Sequence, residues 1–196
     1  MILSHKYKFV CLNPQKTGTG FRETTLTNYT DVGIDSHLSL ELRHWTPSEA
    51  SNYLESVNKD PNDYYWFTFV RNPWERMISW MNMHQNFLLQ NGESLKYDTK
   101  KFMKNCLQRH NFTNYIYRDG KLLDFIGSLE NISDDFNYVL NKLDIHVNLG
   151  TRQDAYKKNF KNEIRRTLSQ EDIKAIAEIE KEVIEMKKYT FLGSNE

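Results

Sequence analysis

The chain has 196 residues, with 26 lysines and arginines balanced by 26 aspartates and glutamates, and 13% of it is aromatic. That length is enough to bury a core of its own, so a single domain is expected over residues 1–196. Balanced charge leaves no global field for nucleic acid or an anionic membrane, so any selectivity for an anion has to be local.

In chain order, residues 6–12 read as a first strand and 20–29 as a first helix, with a short strand at 33–40. Thr46, Pro47 and Glu49 stand at the N-cap, N1 and N3 positions of a helix over 47–58. A polar loop leads into the aromatic and β-branched run 64–70, which reads as a central strand. A helix from Pro73 ends near Asn91-Gly92, a C-cap signal. Residues from about 91 to 121 form an insertion, with a helix near 98–109 and a turn at Gly120. A strand in "LLDFIGSLE" and an amphipathic helix over 132–143 follow. Ser169 and Asp172 box a final helix, 170–188, whose Ile173, Ile176, Ile179, Val183 and Met186 form its apolar stripe. Strands alternating with helices predict an α/β fold, a parallel sheet with helices on both faces. No repeat, low-complexity tract or linker divides the chain.

Two stretches carry chemistry. The first is "FVCLNPQKTGTGF", residues 9–21: an apolar strand, a small-residue loop with one lysine, then a helix start. Gly18 and Gly20 allow positive φ and close approach, so successive amides can face an anion. The helix start adds unpaired N–H groups, Lys16 a mobile charge, and Thr17 and Thr19 hydroxyl donors. The lysine precedes Gly18, unlike the G-x-x-x-x-G-K-[ST] loop of nucleoside-triphosphate enzymes, and no residue is placed to hold magnesium. The second is "FTFVRNPWERMISW", residues 67–80. Its strand stops at Arg71, Asn72 caps a helix with Pro73 at N1, and Glu75 at N3 completes a capping box. Ser79 lies two turns on, about 11 Å along the axis, so Arg71 and Ser79 can grip one phosphate between them.

Together these stretches resemble the nucleotide-binding elements of sulfotransferases that use 3′-phosphoadenosine 5′-phosphosulfate, nearest to the carbohydrate and heparan 2-O-sulfotransferase branch. "DFIGSLENISDDFNYVL", "HVNLGTRQDAYKKNF" and "KKYTFLG" extend the resemblance over most of the chain. It implies a P-loop-type, sulfotransferase-like fold and transfer of a sulfuryl group to an acceptor hydroxyl, expected on a glycan, without a metal, with the insertion at about 91–121 as the expected acceptor-specificity region. It assigns Lys16, Thr17, Gly18 and Thr19 to the 5′-phosphosulfate and Arg71 and Ser79 to the 3′-phosphate. Gly20 belongs to the same loop, and Arg152 follows the segment that closes over the 3′-phosphate in relatives. Lys157 and Lys158 read as an exposed helix face. Lys16 is also the expected stabiliser of the leaving phosphate.

The expected base is His44, which precedes a capped helix and has the right pKa range for proton abstraction. "RHWTPSEA" also resembles the family's H-x-T segment. His37, Glu23, Glu41 and Glu75 remain alternatives for the base, while His84 and His110 read as solvated. Arg43 suits either an anionic acceptor or a carboxylate partner, and Glu130 a turn. Cys11 and Cys106 read as free thiols. The opening residues are too short for a signal peptide or anchor, so a cytoplasmic enzyme is expected, and the sequons at Asn28, Asn111 and Asn131 carry little weight. A P-loop kinase or hydrolase, or a binding protein that lost its chemistry, are the competing readings.

Overall fold

The computed structural model describes residues 1–32, 43–92, 99–147, 149 and 168–191. Its elements in chain order are β1 (Ile2–Ser4), β2 (Phe9–Leu12), α1 (Thr19–Leu26), α2 (Pro47–Ser56), β3 (Tyr65–Val70), α3 (Pro73–Gln90), α4 (Thr99–His110), α5 (Thr113–Ile116), β4 (Tyr117–Arg118), β5 (Lys121–Leu122), β6 (Phe125–Ser128), α6 (Ile132–Lys142), α7 (Gln170–Ile179) and α8 (Lys181–Lys187). They fall into two compact units, Met1–Val70 with Phe112–Gly150, and Arg71–Asn111 with Thr151–Glu196.

The first unit is built on a four-stranded sheet in the order β1-β2-β3-β6. β2 pairs in parallel with β3, Phe9 opposite Tyr65, and β3 in parallel with β6, Phe67 opposite Phe125. β1 runs antiparallel to β2, so the sheet is mixed around a parallel centre. The strand expected at 6–12 is shorter, β2 alone, because residues 5–8 turn the chain back with Lys8 left-handed at φ 52°, and β1, which was not expected, precedes that turn. The strand expected at 33–40 lies outside the described residues.

Alternation along the strands sorts the core. Val10, Leu12 and Trp66 face one way and pack with Ala50 and Leu54 of α2 and Tyr115 of α5. Phe9, Cys11, Phe67 and Phe69 face the other way and meet Leu26 of α1 and Phe136, Val139 and Leu140 of α6. Each of these large apolar side chains contributes about 1.5–3 kcal/mol by leaving water. The sheet is thus covered by helices on both faces, the α/β arrangement expected. At Gly127 of β6 a Cβ would sit 2.5 Å from the Phe69 ring, so only glycine lets that ring lie flat against the strand. Asp119 and Gly120, both left-handed, close the β4–β5 hairpin at the predicted turn.

The second unit is helical. Asn72 caps α3 by accepting a hydrogen bond from the Glu75 amide (3.3 Å), with Pro73 behind it. Trp74, Met77, Ile78 and Met81, which share one face by helical spacing, are buried, with Met103 and Leu107 of α4 and Ile176 of α7 in the same cluster. The box at Ser169 and Asp172 forms. The single helix expected over 170–188 does not: at Glu180 the backbone leaves helical geometry (φ −102°, ψ 17°), and α8 starts afresh. This break brings the Glu180 carboxylate 3.2 Å from Arg76 of α3, both side chains 1% exposed. Arg76 also donates to the His110 carbonyl and lies over the Trp80 ring. Among the described residues, no helix is long and apolar enough to cross a membrane.

Candidate active site

The loop between β2 and α1 leaves the sheet at the carboxyl end of a parallel strand, where such folds place ligands. Its turn is made by two left-handed residues, Lys16 (φ 65°) and Gly18 (φ 80°). Gly20, expected to share the positive φ, instead lies inside α1 with open space where a Cβ would be. Helical backbone starts at Thr19, ahead of the expected position, so Gly20 needs no special conformation there. The left-handed φ of 80° is what favours glycine at Gly18, where a Cβ would also crowd the Leu129 side chain, and its carbonyl accepts from Phe21 and Arg22 at the helix start. The Thr19 and Gly20 amides ahead of these two have no intrahelical acceptor and stand at the positive end of the α1 dipole.

The two threonines differ. Thr17 is fully buried, and its hydroxyl donates to the Pro14 carbonyl (2.7 Å). With that proton committed to the loop, the backbone N–H is what Thr17 has left to donate. Thr19 is 9% exposed, and its hydroxyl has no hydrogen-bond partner among the described residues. A buried hydroxyl left unpaired costs about 1–3 kcal/mol, which a ligand oxygen would recover.

Arg22 of α1 is fully buried behind the loop. It donates to the Asn13 amide oxygen through Nε (3.2 Å) and Nη2 (3.0 Å), and to Thr17 through Nη1 to the carbonyl and Nη2 to the hydroxyl. Its guanidinium also lies over Phe69, 4.9 Å from the ring centre. Both ends of the loop are therefore held by one side chain.

His44 is half-buried, with Nδ1 2.7 Å from the Asn13 carbonyl. Burial lowers its pKa below 6.5, and the Asn13 carbonyl opposes that shift. Its own carbonyl accepts from the Tyr115 hydroxyl (3.1 Å). Arg43 does not stand open for an anionic acceptor: it pairs with Glu23 through Nε (2.9 Å) and Nη2 (2.6 Å). Glu23, one of the alternative bases, is thereby committed to a guanidinium. Burial pushes the Cys11 and Cys106 thiols up to about 11, so neither supplies a thiolate nucleophile near neutral pH.

In the second unit, Arg71 follows β3 directly and is 4% exposed, its Nη2 3.9 Å from the Glu75 carboxylate. Ser79 is half-buried on α3. His84 stacks on Phe102, and His110 lies against Trp80. Glu130 is exposed beside the start of α6. His37, Glu41, Arg152, Lys157 and Lys158 lie outside the described residues.

Sequence reasoning missed Asn13 and Arg22. An arginine one turn into a helix looks solvated, and only its place directly after a phosphate-type loop hinted otherwise. The Glu23–Arg43 pair spans twenty residues and had no local signal.

These features define an α/β protein with a strand–loop–helix unit at the carboxyl end of a central parallel strand. A family model described as "Sulfotransferase family" matches residues 1–189, and the chain belongs to that family. Comparison with curated proteins finds no match, and neither does comparison with solved structures.

Proposed function

We propose that this sulfotransferase uses 3′-phosphoadenosine 5′-phosphosulfate and that its acceptor is a glycan hydroxyl, deprotonated by His44. The donor supplies an activated sulfuryl group: its sulfur–oxygen bond to the 5′-phosphate breaks as the bond to the acceptor oxygen forms, leaving adenosine 3′,5′-bisphosphate. Lys16 places a full positive charge on the loop and stabilises the leaving phosphate. The Thr19 and Gly20 amides of α1, the Gly18 backbone, the Thr17 amide and the Thr19 hydroxyl donate to anionic oxygens. Arg71, Ser79 and Arg152 recognise the 3′-phosphate. His44 is neutral near pH 7, because burial holds its pKa below the usual histidine value, and it accepts the acceptor's proton. The glycan class rests on the resemblance to carbohydrate sulfotransferases.

One observation carries the reading: the His44 ring is bonded to Asn13, the residue that opens the lysine loop, so base and loop share an anchor. The test is sulfuryl transfer from labelled donor to a panel of glycans, by the natural chain and by His44→Gln. Turnover should fall about 10²–10⁴-fold in the variant, the usual worth of a general base, while adenosine 3′,5′-bisphosphate still binds. Unchanged turnover in His44→Gln would remove the histidine from the mechanism.

A further inference from the structure

A carbonyl oxygen only accepts, so the 2.7 Å contact between His44 Nδ1 and the Asn13 carbonyl requires the proton on Nδ1. In the neutral ring the lone pair then belongs to Nε2. Asn13 is itself held in two ways. Its backbone continues directly from β2, where the Leu12 carbonyl takes the Thr68 hydroxyl (3.2 Å). Its amide oxygen accepts twice from Arg22. Arginine only donates, so that oxygen is identified without ambiguity. Arg22 also reaches the Thr17 carbonyl and hydroxyl, and Thr17 returns to Pro14, which closes a buried ring of hydrogen bonds around the loop. Asn13 and Arg22 are both 0% exposed.

We infer that Asn13 and Arg22 are positioning residues for His44: Arg22 fixes Asn13, and the Asn13 carbonyl fixes the ring tautomer that leaves Nε2 open. Neither touches the reacting atoms. Their effect is to make the protonation site of the base depend on the intact lysine loop, so a chain whose loop is displaced also loses the correct nitrogen. The use of Nε2 as proton acceptor rests on the proposed sulfuryl transfer, whereas the tautomer itself does not.

The experiment is long-range ¹H–¹⁵N correlation on protein carrying ring-labelled histidine, with His44→Gln to assign the His44 signals. The expected result is an Nδ1–H ring in the free protein at pH 7.5. A predominant Nε2–H ring overturns the inference, whatever the activity. Asn13→Ala and Arg22→Lys then test the link, with folding checked by near-ultraviolet circular dichroism. Asn13→Ala should give a mixture of tautomers and lower kcat about tenfold or more, with a smaller fold-loss of affinity for adenosine 3′,5′-bisphosphate as the loop loosens. Arg22→Lys, which keeps the buried charge and one donor, should retain more of both signals. A tautomer unchanged in Asn13→Ala, or a loss of kcat matched by an equal loss of affinity, shows a structural role only and overturns it. Failure of the bisphosphate to bind the natural chain would sink the donor assignment while leaving the tautomer result standing.

Discussion

Lys16 combines a left-handed backbone, at φ 65°, with the loop's full positive charge. A non-glycine residue held there is strained by about 1–3 kcal/mol, a cost seen where function constrains the chain. Lys16→Ala should lower turnover about 10²–10³-fold, the range for losing one preorganised electrostatic contact, without unfolding the protein. Normal turnover would remove it from the site. His44 gives a pH signature. Burial lowers its folded-state pKa below 6.5, with Arg43 acting in the same direction and Glu23 opposing. Between the folded and unfolded values the unfolded chain holds more protons, so stability rises with pH there. The stability linked to this group is full above pH 6.5 and is lost as pH falls towards the lowered value. The same shift places the acid limb of the kcat/KM profile, which reports the free enzyme, below the ordinary histidine pKa. An acid limb above 6.5 would contradict the environment described for the ring.

At the scale of elements, the ion pair of Arg76 with Glu180 ties α3 to the junction of α7 and α8. Both side chains are 1% exposed, so removing one partner strands a buried charge. Arg76→Ala should cost about 3–5 kcal/mol in urea denaturation. Replacing the pair by Met and Leu together should recover most of that loss. If the double variant is as unstable as the single one, the pair acts through its other contacts, the His110 carbonyl and the Trp80 ring. This junction also marks a limit of sequence patterning. Ile173, Ile176, Ile179 and Val183 keep helical spacing straight through the break, so nothing in the apolar stripe announces it. The hairpin of β1 and β2 was hidden for a different reason, since three residues of strand and a polar turn are too short to show alternation. The strands at 9–12 and 65–70 were legible because each is bounded by a clear stop, at Asn13 and at Arg71. The caps at Thr46, Asn72 and Ser169 were legible for the same local reason.

At the scale of the whole molecule, the neutral balance of 26 basic and 26 acidic residues leaves the binding of an anion to a few placed groups. The groups proposed for that role were legible in part. Lys16, the Gly18 turn and His44 stood out because their residue types are unusual in their local settings. The parts that organise them were not, because Asn13, Arg22 and the Glu23–Arg43 pair act through tertiary contacts that no local spacing encodes. The proposed donor site holds its nucleotide through the 3′-phosphate and without a metal. Calorimetric titration of the natural chain and of Arg71→Ala with adenosine 3′,5′-bisphosphate, beside ATP with magnesium, tests this. The expected result is metal-independent binding that needs the 3′-phosphate and is lost in a folded Arg71→Ala variant. Binding of ATP with magnesium alone, or bisphosphate binding untouched by Arg71→Ala, would contradict it.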